Sequence, residues 1–179
     1  MNSLSLVREF HTVYDQPINN EPSLNDDALN KLRIDLLKEE VMELMIALEN
    51  RDAVEVLDAL TDIQYVLDGA YLSLGFHKFK DDALTEVHRS NLSKLGADGL
   101  PVKNAAGKVV KGPFYSPPDI ARVMWRPAVG ERVLTVCGEQ GERPGTVVKL
   151  NTWHTGIDVV LDEKPDRPMA FSLHELRPL

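Results

Sequence analysis

Residues 36–62 read Leu36-Leu-Lys-Glu39-Glu40-Val-Met-Glu43-Leu-Met-Ile-Ala-Leu-Glu-Asn50-Arg-Asp-Ala-Val-Glu55-Val-Leu-Asp58-Ala-Leu-Thr-Asp62. Apolar residues recur at helical spacing on both sides of Asn50-Arg51-Asp52, so this stretch predicts two long helices with a tight break between them. So short a link makes them an antiparallel hairpin. Both helices carry acids in stripes. On the first, Glu39, Glu40 and Glu43 share one arc, beside an apolar face of Leu37, Val41, Leu44, Met45 and Leu48. On the second, Glu55, Asp58 and Asp62 fall on one face at i, i+3, i+7.

A single acidic residue on a helix is most often solvated surface. Here neither stripe interleaves the Lys or Arg at i+4 that normally supports such a surface. Aspartate is a poor helix former, and Asp58 and Asp62 are like charges at i,i+4. Folding the hairpin brings two such stripes together. Carboxylates crowded this way call for a hard divalent cation, Mg²⁺ or Mn²⁺, which prefers oxygen ligands.

Outward from this hairpin, residues 3–15 predict a short amphipathic helix, and Pro17 to Pro22 a loop. Ser23 or Asn25 is the expected cap of the first long helix, which runs to about residue 49. The second long helix is expected over 53–74, ended by Gly75, and a third over 79–95, ended by Gly96. Residues 96–120 are rich in Gly, Pro and Lys and read as extended, with a hairpin near Ala106-Gly107. From Arg126 the period becomes that of short strands: Arg132–Val136, Gly145–Leu150, Ile157–Leu161 and Met169–Leu173. Two domains are expected, 1–122 helical and 126–179 a small antiparallel β-barrel.

Composition narrows the function. The 179 residues hold 20 Lys+Arg against 28 Asp+Glu, a net charge of -8. The imbalance sits in residues 1–125, with 13 basic against 20 acidic residues; residues 126–179 hold 7 and 8. An acidic lobe repels phosphodiester backbones, so nucleic acid is an unexpected partner. An acidic lobe that handles anions needs a cation as mediator. Cys137 is the only cysteine, which suits a reducing cytoplasm. No stretch approaches a membrane span, and no signal-peptide pattern opens the chain.

Glu39-Glu40-x-x-Glu43 followed by Glu55-x-x-Asp58 resembles the EExxE and ExxD motifs of the all-α nucleotide pyrophosphohydrolases, the superfamily of MazG-like proteins, dimeric dUTPases and phosphoribosyl-ATP pyrophosphohydrolases. Asp62-Ile-Gln-Tyr65 resembles that family's following aspartate, so a second register, Asp58 with Asp62, stays open. The segments Glu86-Val-His-Arg-Ser-Asn-Leu-Ser-Lys94 and Lys108-Val-Val-Lys111-Gly-Pro-Phe-Tyr115-Ser-Pro-Pro-Asp-Ile120 resemble a phage and bacterial MazG-like subgroup. The resemblance covers residues 1–122. It implies a helical bundle completed by oligomerisation, as a homodimer or homotetramer, and conversion of an NTP or dNTP to the monophosphate and pyrophosphate.

Under this resemblance Glu40, Glu43, Asp58 and Asp62 are the expected metal ligands, with Glu55 beside them. Glu39, Glu40 and Glu43 are the candidate catalytic acids, one of them the base that orients water. Asn91, Lys94, Arg89 and Lys111 are candidates for contacts to the triphosphate, with Tyr115 closing over the nucleotide. His11 and Gln16 are candidates for the base pocket. Val129-Gly-Glu-Arg-Val133 and Gly145-Thr-Val-Val-Lys-Leu150 resemble SH3-like barrels, with Trp153 and His154 at a hairpin tip. Three alternatives remain: a non-enzymatic adaptor displaying a partner-binding barrel, a phosphoribosyl-ATP pyrophosphohydrolase, and a nucleic-acid-binding barrel.

Overall fold

The computed structural model describes residues 2–136, 141–150, 156–172 and 175–179. Cys137, Trp153 and His154, and Leu173 at the end of one expected strand, lie outside the described residues. The chain divides into two compact units, Met1–Phe114 and Tyr115–Leu179.

The first unit is helical. Helix α1 spans Ser3–Val13, and Asn2 caps it by accepting from the Ser5 amide. It stops two residues before the expected end, because Asp15 takes a positive φ of 51°. Helix α2 spans Asp27–Asn50. Its cap is Asp26, whose Oδ1 accepts from the Leu29 amide at 2.9 Å, and not Ser23 or Asn25. Arg51 in the left-handed region closes α2, and Asp52 opens α3, Ala53–Ser73, by accepting from the Val54 and Glu55 amides. One capping residue on each side of the break thus turns the chain sharply enough to lay α3 antiparallel on α2.

Gly75 follows at φ 79°, where a Cβ would stand 2.0 Å from the Glu21 carbonyl oxygen. A 3-10 turn, His77–Phe79, leads into α4, Lys80–Leu92. The third helix therefore begins after this turn and ends three residues before its expected end. Its last turn is diverted: the Ser93 hydroxyl donates to the Ser90 carbonyl at 2.7 Å, and the Lys94 carbonyl accepts from the Gly112 amide at 3.1 Å. The hairpin expected at residues 106–107 is present. Asn104 Oδ1 accepts from the amides of Ala106 and Lys108, and Gly107 takes φ 77°.

Helix α1 packs on α3, and α2 on α3. Val7, Ala47, Ala59, Ala70, Leu72 and Phe79 are buried in this unit. The apolar face expected to be the core of α2 is only partly so: Leu37 and Leu44 are half-buried, while Val41, Met45 and Leu48 are 45%, 50% and 57% exposed. The covered side of α2 carries Arg33 and Ala47, with Leu36, Leu37, Glu40 and Leu44 half-buried, so it falls between the acidic and the apolar arcs.

The second unit holds a five-residue helix α5, Ile120–Met124, which the sequence pattern did not predict, and a five-stranded antiparallel sheet. The strands are β1 Arg132–Val136, β2 Glu142–Leu150, β3 Ile157–Leu161, β4 Pro168–Phe171 and β5 Leu176–Pro178, in the order β4-β3-β2-β1-β5. Val133, Val147, Val159, Leu161, Phe171 and Leu176 form its core. Strand β2 starts three residues before the expected Gly145, and β5 adds an edge. Among the described residues no ladder joins β4 to β5. No helix is long and apolar enough to cross a membrane, among the described residues.

Candidate active site

Glu40 stands on the α2 face that meets α3. Burial pushes its carboxyl above the ordinary glutamate range, and Asp62, Glu43, Glu39 and Asp58 push it further the same way. Asp62, on the opposite helix, is the strongest of those four. Two acidic stripes from separate helices are therefore brought face to face, as the hairpin reading expected. Glu40 feels four carboxylates and no cation. No salt bridge among the described residues engages Glu39, Glu40, Glu43, Glu55, Asp58 or Asp62.

The six acids are not equivalent. Glu40 and Asp62 are half-buried in the α2–α3 groove; Glu39, Glu43, Glu55 and Asp58 are exposed. Glu55 is not among the groups that act on Glu40, and its amide is spent on the Asp52 cap. The oxygens are not drawn into a ready-made cage: among the described residues no three acids or histidines stand close enough to hold a metal ion. Like charges with no bridging lysine or arginine hold one another apart. The donor set itself suits a hard cation, since every group is a carboxylate and the half-buried members lack a counter-charge.

The candidates for phosphate contacts sit on α4 and the segment after it. Lys94 Nζ donates to Asn91 Oδ1 at 2.7 Å, so these two form one polar feature. The backbone of residues 111–112 returns against 94–95 through the Gly112 amide, at a point where a Cβ would meet the Leu95 carbonyl oxygen at 2.1 Å. This brings the Lys111 and Lys94 stretches of chain together from distant sequence. Arg89 is committed to Glu86 through two bonds of 2.8 Å. Tyr115 begins the other compact unit.

His11 is buried. Its Nδ1 pairs with the Pro17 carbonyl at 2.9 Å, and burial depresses its pKa, with Arg33 and Arg8 adding to the effect and the Pro17 bond opposing it. Gln16 is half-buried and donates to the Tyr14 carbonyl. Phe10 of the same helix packs on Tyr14 and, edge-on, on Tyr65 of α3, at ring separations of 4.5 and 5.7 Å.

Two features escaped the sequence reading. Asp68, fully buried on α3, pairs with Lys80 and accepts from Gln64 Nε2 at 3.0 Å, tying α4 to the hairpin. Arg33, 7% exposed on α2, lies beside His11 over Gly69. Both would have looked like ordinary surface charges in a helical pattern.

Residues 7–91, just under half the chain, match the profile of the phosphoribosyl-ATP pyrophosphohydrolase family. The match spans α1 to the last turn of α4 and so includes every acid of the groove. No curated protein matches the chain. Among solved structures, a candidate NTP pyrophosphohydrolase from Exiguobacterium sp. 255-15 is similar at 20% identity over 69% of this chain and 92% of that one. Its TM-score of 0.25 gives that likeness no weight for function.

Proposed function

We propose that the helical unit is a metal-dependent pyrophosphohydrolase that converts an NTP or dNTP to the monophosphate and pyrophosphate. The observation that carries this reading is the groove itself: Glu40 faces Asp62, Asp58, Glu39 and Glu43 with no cation among them. Glu40, Glu43, Asp58 and Asp62 would hold Mg²⁺ or Mn²⁺, with Glu55 an outlying member. When bound, the ion polarises phosphate oxygens and makes a water more acidic.

The chain's own groups then do the following. Glu39, exposed at the groove's rim and outside that ligand set, accepts the proton of the attacking water. The water oxygen forms a bond to the α-phosphorus as the bond to the α–β bridging oxygen breaks, and pyrophosphate leaves. Lys94, held by Asn91, and Lys111 neutralise charge on the leaving group; Arg89 is already neutralised by Glu86 and contributes less. The exposed apolar residues of the hairpin, Met42 and Ile46 on α2 and Leu57 on α3 among them, favour a homodimer or homotetramer that buries them.

A second reading, hydrolysis of phosphoribosyl-ATP, is favoured by the family profile that residues 7–91 match. Incubation with each NTP, each dNTP and phosphoribosyl-ATP, in Mg²⁺, Mn²⁺ or EDTA, separates the two. A nucleoside monophosphate with pyrophosphate, lost in EDTA and in Glu43→Gln, supports the proposal. Turnover of phosphoribosyl-ATP alone selects the second reading. A diphosphate with inorganic phosphate would show that the attack is at another phosphorus. No turnover and no metal effect would leave a non-enzymatic helical adaptor.

A further inference from the structure

Residues 97–109 are folded without being covered. Their hairpin is held by its own backbone. The Asn104 amide donates to the Lys108 carbonyl at 3.0 Å and the Val110 amide to the Val102 carbonyl at 2.9 Å, so Lys103 stands opposite Val109. The Gly112 amide, bonded to the Lys94 carbonyl, ties the base of the hairpin to the chain that leaves α4. Yet every residue from 97 to 109 is exposed, Leu100, Val102 and Val109 among them. A Cβ added at Gly99 or Gly107 would meet nothing. A two-stranded hairpin alone in water is at best marginally stable; a third strand or a helix packed against it supplies the rest. Successive side chains alternate between its two faces. Val110 is half-buried, which leaves the opposite face, with Pro101, Lys103 and Val109, fully bare.

Charge narrows what can cover that face. Residues 93–114 carry four lysines against Asp98 alone, while residues 1–92 carry eight basic against eighteen acidic residues. No salt bridge among the described residues engages Lys103 or Lys108. Lysine set beside valine fits a surface that is acidic and apolar together, which a bare phosphate chain is not. The chain carries such a surface itself. On α2, Glu39, Met42, Glu43, Ile46 and Glu49 are all exposed. They fall at i, i+3, i+4, i+7 and i+10, one stripe within about 120° of arc. No Lys or Arg falls among them. Hairpin and stripe are both bare in a single copy, so they do not meet within the chain.

We propose that the hairpin of residues 97–110 is a clasp between two copies of this chain, the arm of each lying on the α2 stripe of the other. Lys103 meets the glutamates, and Val109 packs on Met42 and Ile46. A twofold pair makes the contact twice. Exposed ion pairs alone contribute little, so the apolar contact holds the arm down while the charges choose the partner and the register. Because the stripe includes Glu39 and Glu43, the clasp brings a cation of the second copy to the rim of the carboxylate groove. The contact itself does not depend on the reaction proposed above.

Carbodiimide cross-linking of the full chain tests it, since it joins an amine to a carboxylate only where the two touch. Unlabelled and ¹⁵N-labelled protein are mixed in equal amounts, cross-linked, digested and read by mass spectrometry. The expected product joins Lys103 to Glu39, Glu43 or Glu49 in peptides of mixed isotope. The same peptides in unmixed isotope alone would show an arm folded on its own chain and overturn the proposal, as would no link from Lys103 to α2. Sedimentation equilibrium gives the second readout. Lys103→Glu and Glu49→Lys should each weaken self-association roughly tenfold, the effect of one like-charge contact made twice, and the two together should restore it. A chain that stays monomeric, single variants that associate as the wild type does, or a double variant weaker than either single one overturns the clasp. A chain that hydrolyses no nucleotide but gives the mixed cross-link discards the reaction and keeps the clasp.

Discussion

Asp62→Asn is the sharpest perturbation of the carboxylate groove, because the reasoning predicts opposite signs in two buffers. In EDTA the variant removes one member of a like-charged set. The Asp58–Asp62 pair at i,i+4 costs roughly 0.2–0.5 kcal/mol, and asparagine is no worse than aspartate in a helix. Asp62 is also the strongest charge acting on half-buried Glu40 across the groove, and its removal relieves that repulsion as well. Together these predict stabilisation of about 0.5–1 kcal/mol, a rise in Tm of roughly 1–4 °C for a chain of this size. In saturating Mn²⁺ the sign reverses. An ion that binds the folded state at a hundred times its Kd adds about 2.7 kcal/mol, and a groove short of one ligand loses much of that gain. The assay is thermal unfolding by circular dichroism in EDTA and across a Mn²⁺ titration. A variant less stable than wild type in EDTA would show that Asp62 has a structural partner and is not part of a repelling set. An equal Mn²⁺ response in both proteins would show that the ion binds elsewhere.

Other consequences concern the scaffold around the groove. Lys80→Met leaves fully buried Asp68 with Gln64 alone, and should cost about 2–4 kcal/mol in urea unfolding; adding Asp68→Asn should recover more than half of it. Gly75→Ala forces a Cβ to within 2.0 Å of a backbone oxygen at φ 79°, so a loss of more than about 2 kcal/mol is expected, and an unchanged Tm would contradict the turn geometry. His11 is held below its ordinary pKa, so the unfolded chain binds its proton first. Stability is then full above about pH 6.5 and falls as pH drops from there toward the folded value. His11→Asn should flatten the Tm profile in that window, and an identical acid slope in both proteins would count against burial as the cause.

Much of the hairpin was legible because its signals are local. Helical period, the Asn50-Arg51-Asp52 break and the two acidic stripes each show within a few turns of chain, and the antiparallel link needs only three residues. What failed was decided at a distance. Ser23, Asn25 and Asp26 can each cap a helix; the choice of Asp26 goes with the loop before it, where Asn30 Nδ2 donates to the Leu24 carbonyl. The end of α4 is set by Gly112, far along the chain, which no periodicity at residue 92 can report. Helix α5 is too short to show a period at all. The apolar face of α2 was legible as apolar, but which arc of a helix is covered depends on its neighbours, and here the covered side falls between the apolar and the acidic arcs.

Arg33 shows where the sequence stops and geometry takes over. On α2 alone it is one basic residue between Leu32 and Ile34, with nothing in the pattern to set it apart from a solvated arginine. Its meaning depends on the register of the hairpin. Once Glu40 is set opposite Asp62, the step of two turns that reaches Arg33 on α2 must reach Gly69 on α3, because antiparallel helices count in opposite directions from a shared crossing. The register thus sets a half-buried acidic pair, Glu40 and Asp62, two turns from a buried cation, Arg33, with Gly69 where a Cβ would stand 3.2 Å from its Nη1.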